Sequence, residues 1–516
     1  MSTLPPKIRR EDLGDFSESS FVKILQRDPE VERRIRSGEL PMHIISRLHK
    51  IFGGTPRFIL QIREAIKGMD VTVLEAELAQ VELPDSASGS ELQRVRNKYF
   101  QDIIIERLYG YLTPESQRAL CRAAVYGVPI TLDGLAAVAD DHLEKIQAFA
   151  QCWSDRAFAY QEAQQTAVPL WIVYGLLRRW LLDKLSPKEQ KVAHKSAGDF
   201  LAKIEKQNRD AELGLSSVDC LMQARSQYIN AMDIKHARNL TNRLANSLIL
   251  TGFYDSVRQL NAEILHYEKH SSSMGWIART YLEQGDYGSA QIWYQYCLDA
   301  ANDSDKEWAA LALHGLASID LKKSDYDSAR EKFETILNIV RQKGDKAGEA
   351  ATWHNLASID VNKGDYNSAC EKYETVMNVV QQIGDRAGEA STWHSLAMID
   401  LRKGDYEAAR EKFEKAMNIR QQIGDRVGEA STFSQLGVTA WRMNKGKEAL
   451  RLIVVGYAIF AYIGHSDAKI GFKNLSAAAS QLGYSQEQFE ALQIEVAEAY
   501  GKDCGQGLID AAFPKG

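Results

Sequence analysis

The six cysteines of this 516-residue chain are far apart, and no two form a Cys-x-x-Cys pair. Cys121, Cys152, Cys220, Cys297, Cys370 and Cys504 therefore supply neither a zinc site nor a disulfide framework, and such usage suits a reducing compartment. Long hydrophobic runs are missing too: no stretch approaches the roughly eighteen apolar residues of a membrane-spanning helix. The opening MSTLPPKIRREDLG has basic residues with no apolar segment behind them, so a secretory signal is not expected and the chain reads as cytoplasmic. Positive charge is also scarce. A formal net charge of −6 and a pI near 6.1 argue against broad binding to a nucleic-acid backbone, which needs a basic footprint. No Gly-x-x-x-x-Gly-Lys-Ser/Thr occurs anywhere, so no loop of that type cradles a nucleotide phosphate, and neither a nucleotide, another cofactor nor enzymatic turnover is expected of this chain alone.

What remains is ordinary for a globular protein, with 45% hydrophobic and 26% charged residues and a length that suits about three or four domains. The informative feature is a repeat. Residues 345–384 (DKAGEAATWHNLASIDVNKGDYNSACEKYETVMNVVQQIG) and 385–424 (DRAGEASTWHSLAMIDLRKGDYEAAREKFEKAMNIRQQIG) agree at 26 of 40 positions. A fixed period of this size predicts a solenoid, in which each unit buries its apolar face only against its neighbours. Trp353, Leu356, Ala357 and Ile359 have helical spacing, and Lys363-Gly364-Asp365 is a helix stop in which glycine takes the left-handed closing conformation. A second helix is predicted from Tyr366 through Ala369, Tyr373 and Met377 to Gly384. Tyr326, Tyr366 and Tyr406 keep step, as do Leu316, Leu356, Leu396 and Leu436, and small Ala329, Ala369 and Ala409 recur where two helices approach closely.

Trp-x-x-Leu-Ala at 353–357, Gly-Asp-Tyr-x-x-Ala at 364–369 and the aromatic at 373 resemble the tetratricopeptide repeat family, most strongly over 305–462. The period is 40 where about 34 is common in the family, and its usual proline near the end of the second helix is absent. Asp320, Asp360 and Asp400 stand where the family usually has a large aromatic residue. Weaker copies are marked by Gly285-Asp286-Tyr287-x-x-Ala290, by Gly252-Phe253-Tyr254 and, more degenerate, by Tyr228 and Ala231. The resemblance implies a mainly α fold, a superhelix of stacked helix pairs whose concave groove binds a peptide or protein.

The first two hundred residues have another texture. Helical patterns at Ile44–Phe52 and Arg57–Ile66 flank Gly53-Gly54-Thr55-Pro56, and 83–91 reads as a linker. Thr113-Pro114 is a helix start, with Thr113 as N-cap and proline in the first turn. Val128-Pro129-Ile130-Thr131, a helix at Leu132–Val138, a β-rich Val168–Val173 and an amphipathic Leu176–Leu185 follow. With Gly-Gly-Thr-Pro-Arg at 53–57, this order resembles the lid and winged-helix region of the STAND class of signal-transduction ATPases, without the ATPase core. The family's lid proline would correspond to Pro56, and its winged-helix histidine would fall near Tyr174. The expected organisation is a lid-like region at 1–85, a winged-helix-like domain at 90–205, the repeat array at 206–465, capping helices at 466–500 and a loosely ordered tail at 501–516.

His314, His354 and His394 recur beside Trp353 and Trp393, at a first-helix position that the repeat resemblance places on the concave face. Their companions toward the helix end include Lys322, Asn362 and Arg402. With Asn355 and Arg442, these residues make a polar-to-basic column suited to an acidic or carboxylate-bearing partner. Their spacing is also what recent duplication alone would leave. Stacked helices lie about 8–10 Å apart, too far for three such histidines to share one metal ion. Cys504 with His314 is a poor catalytic pair, since a nucleophile needs its base within hydrogen-bond reach. Arg118 and Arg122 offer a thin supply of charge for DNA reading by a winged helix. Binding a protein or peptide partner is the expected role, with regulation of a STAND-type switch as the alternative and DNA binding third.

Overall fold

A computed structural model describes residues 16–54, 56–83, 89–162, 168–302, 305–463 and 475–514. The chain divides into two compact units, Met1–Lys269 and His270–Gly516. The array anticipated from residue 206 thus has its first helices in the first unit. Among the described residues, no helix is long and apolar enough to cross a membrane.

The first unit begins with five helices, Glu18–Leu25, Pro29–Arg36, Met42–Phe52, Pro56–Gly68 and Val71–Ala79, around buried Phe21, Leu48, Phe52, Phe58 and Ile62. The buried Arg34 donates to the carbonyls of Ile66, Lys67 and Met69, satisfying acceptors that the end of the fourth helix leaves open. A helix from Gly89 passes through a wider-turned segment, Phe100–Ile105, into Glu106–Gly110. The next helix starts at Pro114, with the Thr113 side chain accepting from the Ser116 amide. Most of the linker predicted at 83–91 lies outside the described residues.

The predicted β-run becomes Leu170–Val173, antiparallel to Ala159–Glu162 with Ala159 opposite Val173. The segment at 128–131 contributes a single bridge, Ile130 to Trp171. Neither strand Ala159–Glu162, the partner in the strand pair of a winged-helix order, nor the helix before it, Leu143–Asp155, is placed by the sequence patterns. The strand is four residues long with two of them exposed, so it carries no apolar alternation to betray it. Gln61 donates to the Ala157 carbonyl at 2.9 Å, tying the early helices to this region. Helices Gly175–Asp183 and Pro187–Lys206 follow, the second opened by a capping box between Ser186 and Glu189. Ser217–Asn230, Ile234–Leu250 and Tyr254–Tyr267 complete the unit.

The second unit is a succession of helix pairs: Ser271–Glu283 with Tyr287–Ala300, Lys306–Lys322 with Tyr326–Lys343, Lys346–Lys363 with Tyr366–Ile383, Arg386–Lys403 with Tyr406–Ile423, and Arg426–Arg442 with Gly446–Tyr462. The joints are built from local chemistry. Gly364 and Gly404 close the first helices at φ 82° and 85°, a conformation that glycine adopts without strain. The aspartate that follows caps the second helix: Asp365 accepts from the Ser368 amide at 3.1 Å and Asp405 from that of Ala408 at 3.2 Å. Ala329, Ala369 and Ala409 are fully buried, as the close approach of two helices requires.

The aspartate column finds its explanation in the fold. Asp320 pairs with Lys332 at 2.7 Å, Asp360 with Lys372 at 2.6 Å, and Asp400 with Lys412. Each pair joins the first helix of a unit to the second through a charge contact. Asp360 is the most enclosed and also accepts from Arg330 of the preceding unit and from Ser368.

The tail corrects the expectation of looseness. Gln506–Ala512 is a helix, and Leu508, Ile509, Ala512 and Phe513 are buried against the last pairs. Leu508, Ile509 and Ala512 lie on one helix face and Phe513 follows its end, a signal masked in the sequence by neighbouring glycines. Of the capping stretch predicted at 466–500, the residues up to 474 lie outside the description; 475–481 and Gln486–Asp503 are helical. Tyr500 of the latter donates to Glu429 at 2.8 Å and accepts from Arg426 at 2.6 Å, while Gln421 donates to the Cys504 carbonyl at 3.0 Å.

Candidate functional site

The histidine column sits at the seam of the stack. Each ring meets the second-helix aromatic of its own unit edge-on: His314 and Phe333 at 5.7 Å, His354 and Tyr373 at 5.1 Å, His394 and Phe413 at 5.1 Å between centroids. His314 is exposed, whereas His354, Asn355 and His394 are half-buried. His354 Nε2 lies 3.2 Å from Ser395 Oγ of the next unit, and Ser358 Oγ lies 3.1 Å from the Tyr373 hydroxyl. Burial lowers the pKa of His354. Burial, reinforced by the nearby Arg420 guanidinium, brings His394 down to about 4. At neutral pH these two rings are uncharged and contribute to packing more than to charge.

The charge of the column lies one helical turn or more further along. Lys322, Asn362, Arg402 and Arg442 are all exposed, at corresponding positions near the ends of four consecutive first helices. None of the four forms a hydrogen bond or ion pair within the described chain. Their neighbours on the other row, Lys332, Lys372 and Lys412, are consumed by the aspartates. Three internally paired lysines thus contrast with three cations and one amide left open to solvent. The row also changes character along the stack, since Ser318 and Ser358 give way to Met398 and Val438, with Trp441 exposed beside Arg442. Trp353 and Trp393 are half-buried supports, each beneath a cation: Arg341 at 5.3 Å and Lys415 at 4.5 Å from the ring centre.

Arg420 was missed in the sequence, and its signal was a break in the repeat. Val340 and Val380 fill the equivalent buried site in the preceding units. Arg420 is 8% exposed, donates to the Gly428 carbonyl at 2.8 Å and to Thr432, and approaches His394 Nδ1 at 3.3 Å, while the Asp425 carboxylate stays 3.7 Å away. A buried cation without close neutralisation is costly. Arg420→Val is expected to stabilise the array by about 1–3 kcal/mol, in line with exchanges of buried ionic groups for apolar ones. It should also raise the His394 pKa, which an NMR titration of the ring would read. Loss of stability with an unchanged titration would count against this account.

The remaining candidates are placed elsewhere. Tyr174 is half-buried with its ring 4.8 Å from that of Tyr160, and the Pro56 side chain lies outside the description. Arg118 pairs with Glu189 at 3.0 Å and Arg122 donates to the Ala139 carbonyl at 3.0 Å, so both arginines of the DNA reading are engaged within the protein. Cys504 is exposed at the end of a helix.

Comparison with known proteins bears on this architecture. The family model of the tetratricopeptide repeat matches residues 269–342, 348–422 and 388–460. No curated protein matches the chain. Among solved structures, the chain is similar to a signal transduction ATPase with numerous domains carrying a tetratricopeptide repeat sensor, from Pyrococcus horikoshii, at 14% identity and a TM-score of 0.41, over 97% of this chain and 75% of that one. It is also similar to BtubC from P. vanneervenii, at 18% identity and a TM-score of 0.34, over 45% and 92% of the two chains. A third similarity is to a Rap protein complexed with competence and sporulation factor, at 13% identity and a TM-score of 0.34, over 86% and 99%. With TM-scores below 0.5, none of the three fixes what this chain does. The forty-residue units and their paired helices coincide with the segments, 269–342 and 348–460, that the tetratricopeptide repeat model matches.

Proposed function

We propose that this chain is a protein-interaction scaffold, and that the row Lys322, Asn362, Arg402 and Arg442 receives an acidic segment of a protein partner. The observation that carries the reading is the contrast between a row of paired lysines and a row whose three cations and one amide are unpaired among the described residues. Three lysines are neutralised by a column of aspartates, while the exposed row has no internal partner and recurs once per unit. Three unpaired cations and one amide, repeated at one stack spacing, suit an extended segment whose carboxylates and polar groups meet successive units. His314, His354, Asn355 and His394 flank the row, supplying hydrogen-bonding edges while holding the units together. Met398, Val438 and Trp441 add apolar contact at one end.

The test uses the intact chain beside a variant carrying Lys322→Glu, Arg402→Glu and Arg442→Glu, all at exposed positions where the fold should survive. A labelled glutamate-rich peptide should bind the intact chain in a salt-sensitive manner and bind the variant at least about a hundredfold more weakly, given that each reversed charge replaces attraction by repulsion. A pull-down from native lysate should lose its partner in parallel. Equal capture by both proteins would make the row a bystander surface.

A further inference from the structure

A second site lies in the first unit, away from the repeats matched by the family model. Helices Gly175–Asp183, Pro187–Lys206 and Ser217–Asn230 enclose a polar cleft of about 470 Å³, within the size range of small-molecule sites, about 300–1,000 Å³. Its walls include Arg178, Lys191, His194, Gln223, Ser226 and Asn230, and no carboxylate lines it.

The cleft is built to hold its charge in place. Arg178 Nε donates to the Ala124 carbonyl at 2.9 Å and its Nη2 to the Val125 carbonyl at 3.2 Å. Those bonds fix the guanidinium plane. Nη1 faces Gly127, where a Cβ would come within 3.0 Å of it. The Val125 carbonyl also accepts from Gln227 Nε2 at 3.0 Å, which orients the Gln227 oxygen toward His194 Nδ1, 2.7 Å away. No described carboxylate pairs with Arg178 or Lys191. Burial alone depresses the Arg178 pKa, with nothing negative to offset it. Gln223, Ser226 and Asn230 add amide and hydroxyl donors with no partner within the described chain.

A half-buried guanidinium with no counter-ion is an energetic liability unless an anion supplies the missing charge. A preset arginine, a lysine and neutral donors converging on a bounded cleft match a tetrahedral oxyanion, which accepts hydrogen bonds from several directions at once. We propose that this cleft binds a small phosphorylated ligand, with the phosphate held between Arg178 and Lys191 and the rest of the ligand against Gln223 and Ser226. The site is independent of the partner-binding row.

The test is calorimetric titration of the full chain with inorganic phosphate, pyrophosphate and ribose 5-phosphate, with succinate as a dicarboxylate comparison. Two exposed positions allow variants that spare the fold: Lys191→Glu removes a cation, and Ser226→Asp places a carboxylate in the cleft. Thermal melting of each variant without ligand confirms folding. Phosphate compounds should bind the parent chain and bind both variants at least about tenfold more weakly, as expected for the loss of a charged contact. Tighter binding of the sugar phosphate than of the inorganic ions would identify a phosphorylated metabolite; equal binding would identify free phosphate as the ligand. Succinate binding as tightly as any phosphate compound would overturn the assignment. So would the absence of binding at 10 mM, or binding undiminished in both variants.

Discussion

Asp360→Ala is expected to lower the stability of the repeat array by about 3 kcal/mol, the low end of what breaking a buried ion pair costs. The Asp360 side chain is 3% exposed and holds together two helices of its own unit and one of the unit before, through Lys372, Ser368 and Arg330. Removing it would leave two cations facing each other in a confined space. Both cations keep partial access to water, at 20% and 28% exposure, which is why the loss should not reach the upper end. Asp320→Ala provides the comparison within the same column, because among the described residues Asp320 has one ionic partner, Lys332. Its loss should cost about 1 kcal/mol, closer to the worth of a partly exposed pair. Urea unfolding of the two variants decides the matter, and equal small losses would show that the column is incidental. The effect should depend on pH. Burial works to raise the Asp360 pKa, but Lys372, Arg330 and Ser368 outweigh it and hold it below the ordinary carboxylate value. A carboxyl depressed by folding stabilises above its unfolded pKa, about 3.9, and that contribution is lost as the pH falls below this value through the folded one.

A separate loss should appear at milder acidity. His394 titrates near 4 in the folded protein, chiefly because it is buried and secondarily because Arg420 repels its proton. The unfolded side chain titrates near 6.5. Between those values the unfolded chain binds a proton that the folded chain refuses, so stability rises with pH across this window. The contribution is complete above about pH 6.5 and disappears as the pH falls toward 4; for His394 it amounts to about 2–3 kcal/mol. Burial shifts His354 in the same direction. Urea midpoints measured at pH 7 and pH 4.5 should separate widely for the parent chain and clearly less in His394→Gln, which keeps a polar side chain but takes up no proton. Equal separation in the two proteins would remove His394 from the explanation. The histidine window lies above the Asp360 window, so the two effects can be measured in one protein.

The repeats were legible because their joints are local. A glycine in the left-handed conformation at 364 or 404 and an aspartate cap at 365 or 405 act over a few residues, and the buried alanines follow the same period. Thr113 and Pro114 were legible for the same reason. The aspartate column was visible but opaque, since its meaning depends on a lysine twelve residues further on, across a helix turn. The histidines were found by spacing, yet their seating was not. A shift of one position along a helix turns a side chain by about 100°, which separates an open face from a seam, and His354 stands where the two meet. Arg420 could have been found as the departure from Val340 and Val380. The cleft around Arg178 could not, because its walls come from three helices and the turn at 125–127, brought together only by folding.

The closure of the stack bears on how such a chain changes length. Tyr500 engages Glu429 and Arg426 of the last unit, and the Cys504 carbonyl engages Gln421 of the unit before it, locking the end of the stack. New units appended beyond that lock would have to displace it. A unit inserted between 345 and 424 would instead meet the same glycine turn and the same aspartate cap on either side, and would leave the lock untouched. The two nearly identical copies lie in that tolerant interior. A chain made one unit longer there by gene duplication should still fold, and would offer one more open side chain to a longer partner.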